Sequence, residues 1–517
     1  MARNYEAAVA ALNSLQSNFT TVQLLNVPET RHAMNLQSLP ETVEWLRRIG
    51  YQPSDLNRLN PIHVAGTKGK GSTSAFISSI LNQYTISESG DSSPKLRKVG
   101  LYTSPHLRFA RERIQINNAP LSEEKFAQYF FEIWDRLEAA ALAERDTRTS
   151  LQGKPQYFRY LTLMAFHAYM SEGVDAAVIE CGIGGEYDCT NVIEHPAAAA
   201  ITSLAIDHTN MLGNTIEEIA WHKGGIIKLG TKTFSTPQIA SAEKVLYDRA
   251  AEKNTELEIV TSHPDLAGNS RVKLGLAGDF QYANAALAVA TAAEFLKNVG
   301  IDNVTHDFLR KPLPAKFRKG LELAQLGGRC ETRQERNITW YVDGGHTLES
   351  IKLAGQWFAS QIQINSSSTA AANKKPRVLI FNQQKRDSNA LAQALHDTLA
   401  VSLGTEQPFS HVIFCTNVTY KDAGYRPDLV SMNTNASVVD KLQVQKGLAE
   451  KWRCIDPSAE TKVYSTIEEA VDFTRELARQ EKNRMDSDEA PVMTFVTGSL
   501  HLVGGFLDVI ETKPSQE

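Results

Sequence analysis

The run His63-Val-Ala-Gly-Thr-Lys-Gly-Lys-Gly-Ser-Thr73 constrains what this chain can fold into more than any other stretch. The apolar segment Pro61 to Ala65 predicts a buried strand and Ser72 to Tyr84 predicts a helix, so the glycines fall in the turn between them. Gly66, Gly69 and Gly71 let backbone N–H groups approach an anion, and the helix adds the positive end of its dipole. Lys70 would reach the terminal phosphates of a nucleotide and Ser72 a magnesium ion. The spacing departs from the usual P-loop, since Val64 stands six before Lys70 where a glycine is expected. Taken alone, the stretch can also be read as a tight connection and nothing more.

A chain of 517 residues exceeds what one core supports, so two or more domains are expected. The formal charge of −5 gives no reason to expect nucleic-acid binding, and anionic ligands would need local basic clusters. The five cysteines (Cys181, Cys189, Cys330, Cys415, Cys454) show no paired short spacing, which argues against a disulfide framework or a structural zinc site. The N-terminal residues lack the apolar core of a signal peptide and no stretch approaches membrane-spanning length. The expectation is a cytoplasmic protein without stable membrane insertion, a mitochondrial form being left open.

Helices are predicted over 4–17 and 40–49, with Pro40 in a first turn, then an exposed loop over Ser87 to Lys98. Val99 to Thr103 is a second strand, ending in Thr103-Ser-Pro-His-Leu107. Arg108, Arg111 and Arg113 follow, readable as a solvated face or as an anion-facing loop. Helices over Ser122 to Glu144 and Phe158 to Ser171, with a loop over 145–154 between them, precede the buried strand Asp175 to Ile179. That strand ends on Glu180, where open α/β sheets bind ligands, and a glycine-rich turn follows at 181–191. Ala197 to Ile206 reads as another strand, with Asp207-His208 at its end. A lone histidine is by default structural, but three predicted strand ends converge to deliver Ser72, Glu180 and His208. Thr215 opens a helix that leads into Lys223, by default a dipole-compensating lysine. Asn284, in the alanine-rich helix 279–296, is by default a polar surface residue.

The proline-bearing stretch Leu309 to Leu326 predicts a boundary, giving domains 1–315 and 316–517. Strands over 338–342, 377–381, 411–415, 462–464 and 492–496, mostly alternating with helices, predict a second, mostly parallel α/β domain. Residues 364–375 read as a low-complexity loop. Asp343-Gly-Gly-His346 follows the first of these strands and Lys385-Arg386-Asp387 the second. Loops at strand C-termini are where such folds do chemistry; the bland alternative is a turn residue and a surface charge.

Together, Gly66-Thr-Lys-Gly-Lys-Gly-Ser72, Thr103-Ser-Pro-His-Leu107, Glu180 with its glycine-rich turn, Asp207-His208 and Lys223-Gly-Gly-Ile226 resemble the folylpolyglutamate synthase family. This family is the folate branch of the Mur-ligase-like ATP-dependent amide ligases. Gly328-Arg329, Asp343-Gly-Gly-His346, Lys385-Arg386-Asp387 and Thr497-Gly-Ser499 extend the ordered match over nearly the whole chain, with details of the eukaryotic members. The resemblance implies a P-loop-type mononucleotide-binding α/β domain followed by a Rossmann-like glutamate-ligase domain. It further implies ATP binding by Gly66, Thr67, Gly69, Lys70, Gly71, Ser72, Asn284, Arg329 and Asp343. Ser104, Glu180 and His208 become magnesium ligands, two ions being usual. Lys223 matches a lysine that is carbamylated in relatives, and His346 a position near the incoming glutamate. Gly345 and Thr347 stand where many bacterial relatives have alanine and asparagine, and Gly224 replaces the alanine often found after the carbamylated lysine.

The implied reaction is addition of L-glutamate to the γ-carboxyl of a reduced folate through an acyl phosphate, with Lys70, Lys223 and His346 as catalytic residues of a monomer. Two alternatives stand beside it: a dihydrofolate synthase, using dihydropteroate as acceptor, and a nucleotide switch ATPase that forms no bond.

Overall fold

The computed structural model describes residues 3–16, 28–85, 96–143, 153–268, 271–301, 312–366, 376–384, 387–422, 427–429, 442–484 and 492–512. The loops expected at 87–98, 145–154 and 364–375 fall largely outside these residues, as do Lys385 and Arg386. The chain divides into two compact units. Met1–His106, Ala110–Gly275 and Phe280–Leu326 form the first; Leu107–Phe109, Leu276–Asp279 and Gly327–Glu517 form the second.

The first unit is built on eight strands: β1 Ile62–Ala65, β2 Val99–Tyr102, β3 Ile114–Ile116, β4 Ala119–Pro120, β5 Ala176–Glu180, β6 Ala198–Ile201, β7 Thr233–Ser235 and β8 Leu257–Ile259. They lie in the order β4-β3-β2-β5-β1-β6-β7-β8. The run from β2 to β8 is parallel, and only β3 and β4, at one edge, are antiparallel. β1 and β5 are buried throughout, as strands covered on both faces must be. His63 fits inside β1 because Thr190 Oγ1 lies 2.9 Å and Cys181 Sγ 3.1 Å from its Nε2. Burial pushes its pKa down to about 3, so the ring is neutral.

Helices cover both faces. Tyr5–Asn13, Glu123–Ala143 and Tyr157–Glu172 share one core with Tyr102, Ala177 and Ile179. Ile216–Lys223 and Ala240–Glu252 share another with Ala65, Ala199 and Ile201. Each large apolar side chain so buried contributes about 1.5–3 kcal/mol. Pro40 lies inside the helix Pro28–Arg48, not in a first turn; Thr42 donates from its hydroxyl to Ser38 O at 2.7 Å across this stretch. The helix Ala315–Leu323, expected in the second domain, belongs with the first unit. Gly320 permits this packing: a Cβ there would stand 2.5 Å from Ile80 Cα, and Ser79 donates to Gly320 O at 2.7 Å.

The second unit holds β9 Glu331–Glu335, β10 Ile338–Asp343, β11 Arg377–Phe381, β12 His411–Cys415, β13 Glu460–Tyr464 and β14 Val492–Thr497. Their order is β13-β12-β11-β14-β10-β9, all parallel except β9. β9 was not expected, since Glu-Thr-Arg-Gln-Glu carries no apolar period; as an edge strand it needs none. All five cysteines are free thiols, and among the described residues no helix is long and apolar enough to cross a membrane.

Candidate active site

β1 lies between β5 and β6, and the chain passes from one side of β1 to the other between those two strands. The C-terminal end of β1 is therefore a topological switch point, and the ends of β2, β5 and β6 open on the same edge. The glycine loop sits there. The helix begins at Lys70, two residues before the expected start, so its first N–H groups belong to the loop itself. Gly69 has φ +91°, and a Cβ would lie 2.3 Å from Asn284 Oδ1. Gly66 has φ +142°, and a Cβ would lie 1.8 Å from Thr202 Oγ1. Asn284 is thus buried against the loop, not a surface residue. Its Nδ2 donates to Gln281 Oε1 at 2.9 Å, and Gln281 Nε2 donates to Ser72 Oγ at 3.2 Å.

The loop is tied to the segment after β6. Thr67 and Lys68 N–H donate to Ser203 O at 2.9 and 3.1 Å, and Thr67 Oγ1 both donates to Ala205 O and accepts from Ala205 N–H. Peptide groups used in this way cannot extend a ladder, which explains why β6 ends at Ile201 and not near Ile206. His208 consequently stands on an irregular segment, exposed, with φ +52°; its N–H donates to Asp207 Oδ1 at 2.9 Å. Lys68 Nζ meets Asp207 Oδ2 at 3.1 Å. That ion pair links the loop to the residue beside His208, a pairing that only the opposite charges of Lys68 and Asp207 signal locally.

Two lysines converge on one carbonyl. Lys70 Nζ donates to Gly66 O at 3.1 Å and Lys223 Nζ donates to the same oxygen at 2.7 Å. Lys223 is only 3% exposed, and burial together with the Lys70 charge pushes its pKa down to about 7. It is no ordinary end-of-helix lysine. Its place is fixed by the glycine-rich turn: Glu186 N–H donates to His222 O at 2.7 Å, and a Cβ on Gly185 would lie 3.0 Å from Lys223 O. Asp188 holds that turn by accepting from Ile183 N–H, Thr190 N–H and Thr190 Oγ1.

Glu180, 3% exposed at the end of β5, accepts the Ser104 N–H on Oε2 at 2.9 Å. A Cβ on Gly71 would stand 3.6 Å from the same oxygen, so this carboxylate faces the start of the loop helix. Ser104, Glu180 and the glycine loop are therefore brought together. Among the described residues no group of three or more His, Cys, Asp or Glu is arranged to hold a metal ion. A hydroxyl, a buried carboxylate and an imidazole nevertheless suit a hard cation that takes its other ligands from phosphate and water.

In the second unit, Asp343 ends β10 and is buried. Its Oδ2 accepts from Cys330 N–H at 2.9 Å and from the Cys330 thiol at 3.6 Å, and its Oδ1 accepts from Gly345 N–H at 2.8 Å. Burial raises its pKa while the Arg329 charge opposes the rise. His346 Nδ1 lies 3.0 Å from Gly344 O, and its N–H donates to Ser350 Oγ at 3.0 Å. Asn382, Asn417 and Gln445, which the sequence did not single out, form a network beside the same strand ends, with Asn382 Nδ2 donating to Asn417 Oδ1 at 2.8 Å and Gln445 Nε2 donating to Asn382 Oδ1 at 2.9 Å.

Comparison with known proteins gives this geometry a family. No protein-family profile matches the chain. A folylpolyglutamate synthase from Saccharomyces cerevisiae (strain FostersO) is 44% identical over 516 residues, 98% of this chain and 87% of that protein. One from Neurospora crassa is 44% identical over 520 residues, 99% of this chain and 92% of that protein. The fold is similar to that of Mycobacterium tuberculosis folylpolyglutamate synthase complexed with ADP and AMPPCP, at TM-score 0.65 and 21% identity, covering 93% of this chain and 100% of that one. With so much of both fungal proteins matched at that identity, the chain belongs to the folylpolyglutamate synthase family.

Proposed function

We propose that this chain joins L-glutamate to the γ-carboxylate of a reduced folate in a reaction driven by ATP. The observation that carries the proposal is the convergence of Lys70 and Lys223 on Gly66 O, beside the Glu180 carboxylate that faces Gly71. Such a site holds the Lys70 cation where polyphosphate and a carboxylate must approach each other, with Lys223 buried next to it. In the first step a folate γ-carboxylate oxygen attacks the γ-phosphorus and ADP leaves, giving an acyl phosphate. In the second the glutamate amine attacks the acyl carbon, phosphate leaves, and the amine proton passes to solvent. Repulsion between anions is the main obstacle to the first step, and Lys70 offsets it.

Magnesium, when bound, would screen the phosphate charge further, and Ser104, Glu180 and His208 are the residues that would hold it, two ions being the family expectation. Arg329 and Asp343 are assigned to the nucleotide and His346 to the incoming glutamate on the strength of the resemblance. Lys223, with a pKa near 7, has a large neutral fraction at physiological pH. The neutral amine is the form that adds carbon dioxide, which supports its proposed carbamylation.

Lys70→Ala is expected to lose glutamate incorporation by several orders of magnitude while keeping the wild-type circular dichroism spectrum. Incorporation at the wild-type rate would sink the role given to Lys70. Comparing tetrahydrofolate with dihydropteroate as acceptor separates this activity from a dihydrofolate synthase.

A further inference from the structure

The residues on either side of Arg329 are both pinned to the turn that follows β10. Gly328 O accepts from Gly344 N–H at 3.0 Å. Cys330 gives Asp343 Oδ2 both its N–H and its thiol. On the outer side, Gly328 N–H donates to Glu331 Oε2 at 2.8 Å. Between these ties the Arg329 side chain lies over the same turn, since a Cβ on Gly344 would stand 3.0 Å from Arg329 Nη1. Cys330 itself has φ +46°, a left-handed conformation that a residue with a Cβ adopts at a cost. The surrounding contacts must hold it there. Asp343 supplies two of them by accepting the Cys330 N–H and thiol, and it takes a third donor from Gly345 N–H, on a carboxylate only 6% exposed.

We propose that Cys330 is a positioning residue for nucleotide binding: clamped on Asp343 through its N–H and thiol, it fixes the direction of the Arg329 guanidinium. Asp343 then acts in large part through Cys330 and Arg329, because a carboxylate has about four acceptor positions and three are taken inside the fold. The thiol is a small donor filling a buried gap. This inference rests on the reading in which Arg329 meets the nucleotide.

The test compares Cys330→Ala, Cys330→Gly and Cys330→Ser with wild type, each alone and in an Arg329→Ala background. Titration calorimetry with magnesium and AMPPCP gives affinity, and steady-state kinetics give KM for ATP and kcat separately. Cys330→Ala is expected to weaken AMPPCP about fivefold and raise KM for ATP by a similar factor, with kcat within twofold of wild type. Cys330→Gly, which relieves the left-handed strain while removing the thiol, should show the same loss in a readily folded protein. Cys330→Ser, retaining a donor, should bind within twofold of wild type. Because the effect passes through Arg329, neither Ala nor Gly at 330 should change affinity further when Arg329 is already Ala. Wild-type affinity in both the Ala and Gly variants would overturn the inference, as would losses that add fully to that of Arg329→Ala. If Arg329→Ala alone binds AMPPCP as tightly as wild type, the underlying reading of Arg329 fails and the inference falls with it.

Discussion

Lys223→Met is expected to stabilise the first unit while destroying activity, and the size of the gain should depend on pH. The lysine is pushed from an ordinary 10.5 to about 7, chiefly by burial. In the pH range between these values the unfolded chain binds more protons than the folded one, so the lysine's penalty is full below pH 7 and fades as pH rises towards 10.5. Each pH unit across that window is worth about 1.4 kcal/mol, so the penalty is about 4 kcal/mol at pH 7 and about 2 kcal/mol at pH 9. Methionine fills the same apolar surroundings without the charge. Against this stands the lost hydrogen bond of the neutral amine to Gly66 O, about 1 kcal/mol, although Lys70 still serves that oxygen. The net expectation is a gain of about 3 kcal/mol at pH 7 that shrinks to about 1 kcal/mol at pH 9. Urea unfolding in carbon-dioxide-free buffer at the two pH values checks this, since other titrating groups cancel in the difference between variant and wild type. A difference that stays constant from pH 7 to pH 9, or a variant less stable than wild type at pH 7, would refute the reasoning.

Gly69→Ala places a Cβ on Asn284 Oδ1 at a backbone angle of φ +91°, so backbone strain and a broken Asn284–Gln281 bond should together cost about 2–3 kcal/mol. Melting with and without AMPPCP reads both this loss and the expected loss of nucleotide stabilisation; unchanged melting in both conditions would count against the loop geometry. Lys125, Lys98 and Tyr129 hold the Glu172 carboxyl down at about 2. Its contribution is therefore present above the ordinary carboxylate pKa and is lost as pH falls from there towards 2, so Glu172→Gln should cost about 1–2 kcal/mol at pH 7, allowing for solvent screening, and nothing near pH 2. Equal losses at both pH values would show that charge is not the cause. In the second unit Arg108 pairs with the buried Asp508 and with Glu511. Arg108→Met should cost about 3 kcal/mol by taking the guanidinium away from the buried Asp508 carboxylate, which also accepts from the Tyr420 hydroxyl, and Asp508→Asn in the same chain should recover part of it; denaturant melts of single and double variants decide.

Much of the site was legible because its residues stand where apolar runs end. Glu180 after Ala176–Ile179, Asp343 after Ile338–Val342 and the glycines after β1 are polar or flexible residues at the ends of buried strands, a pattern that one sequence displays. Long-range pairings were not legible. Asn284 looked like a surface residue because nothing local shows that it fills the space left by Gly69. Lys223 looked like a dipole-compensating lysine because its burial comes from a turn far upstream. The strand assigned up to Ile206 was apolar enough to extend, but hydrogen bonds from the loop consumed its peptide groups. The boundary expected after residue 315 gave way to Leu326 because the prolines before it do not prevent the next helix from packing against Ile80.

The most direct test of the central claim is to incubate the purified protein with ATP, magnesium, tetrahydrofolate and isotope-labelled L-glutamate and to analyse the folate by mass. A ladder of products, each heavier than the last by one glutamate residue and absent without ATP, is the expected result. ATP hydrolysis that is indifferent to glutamate and leaves the folate unextended would contradict the account.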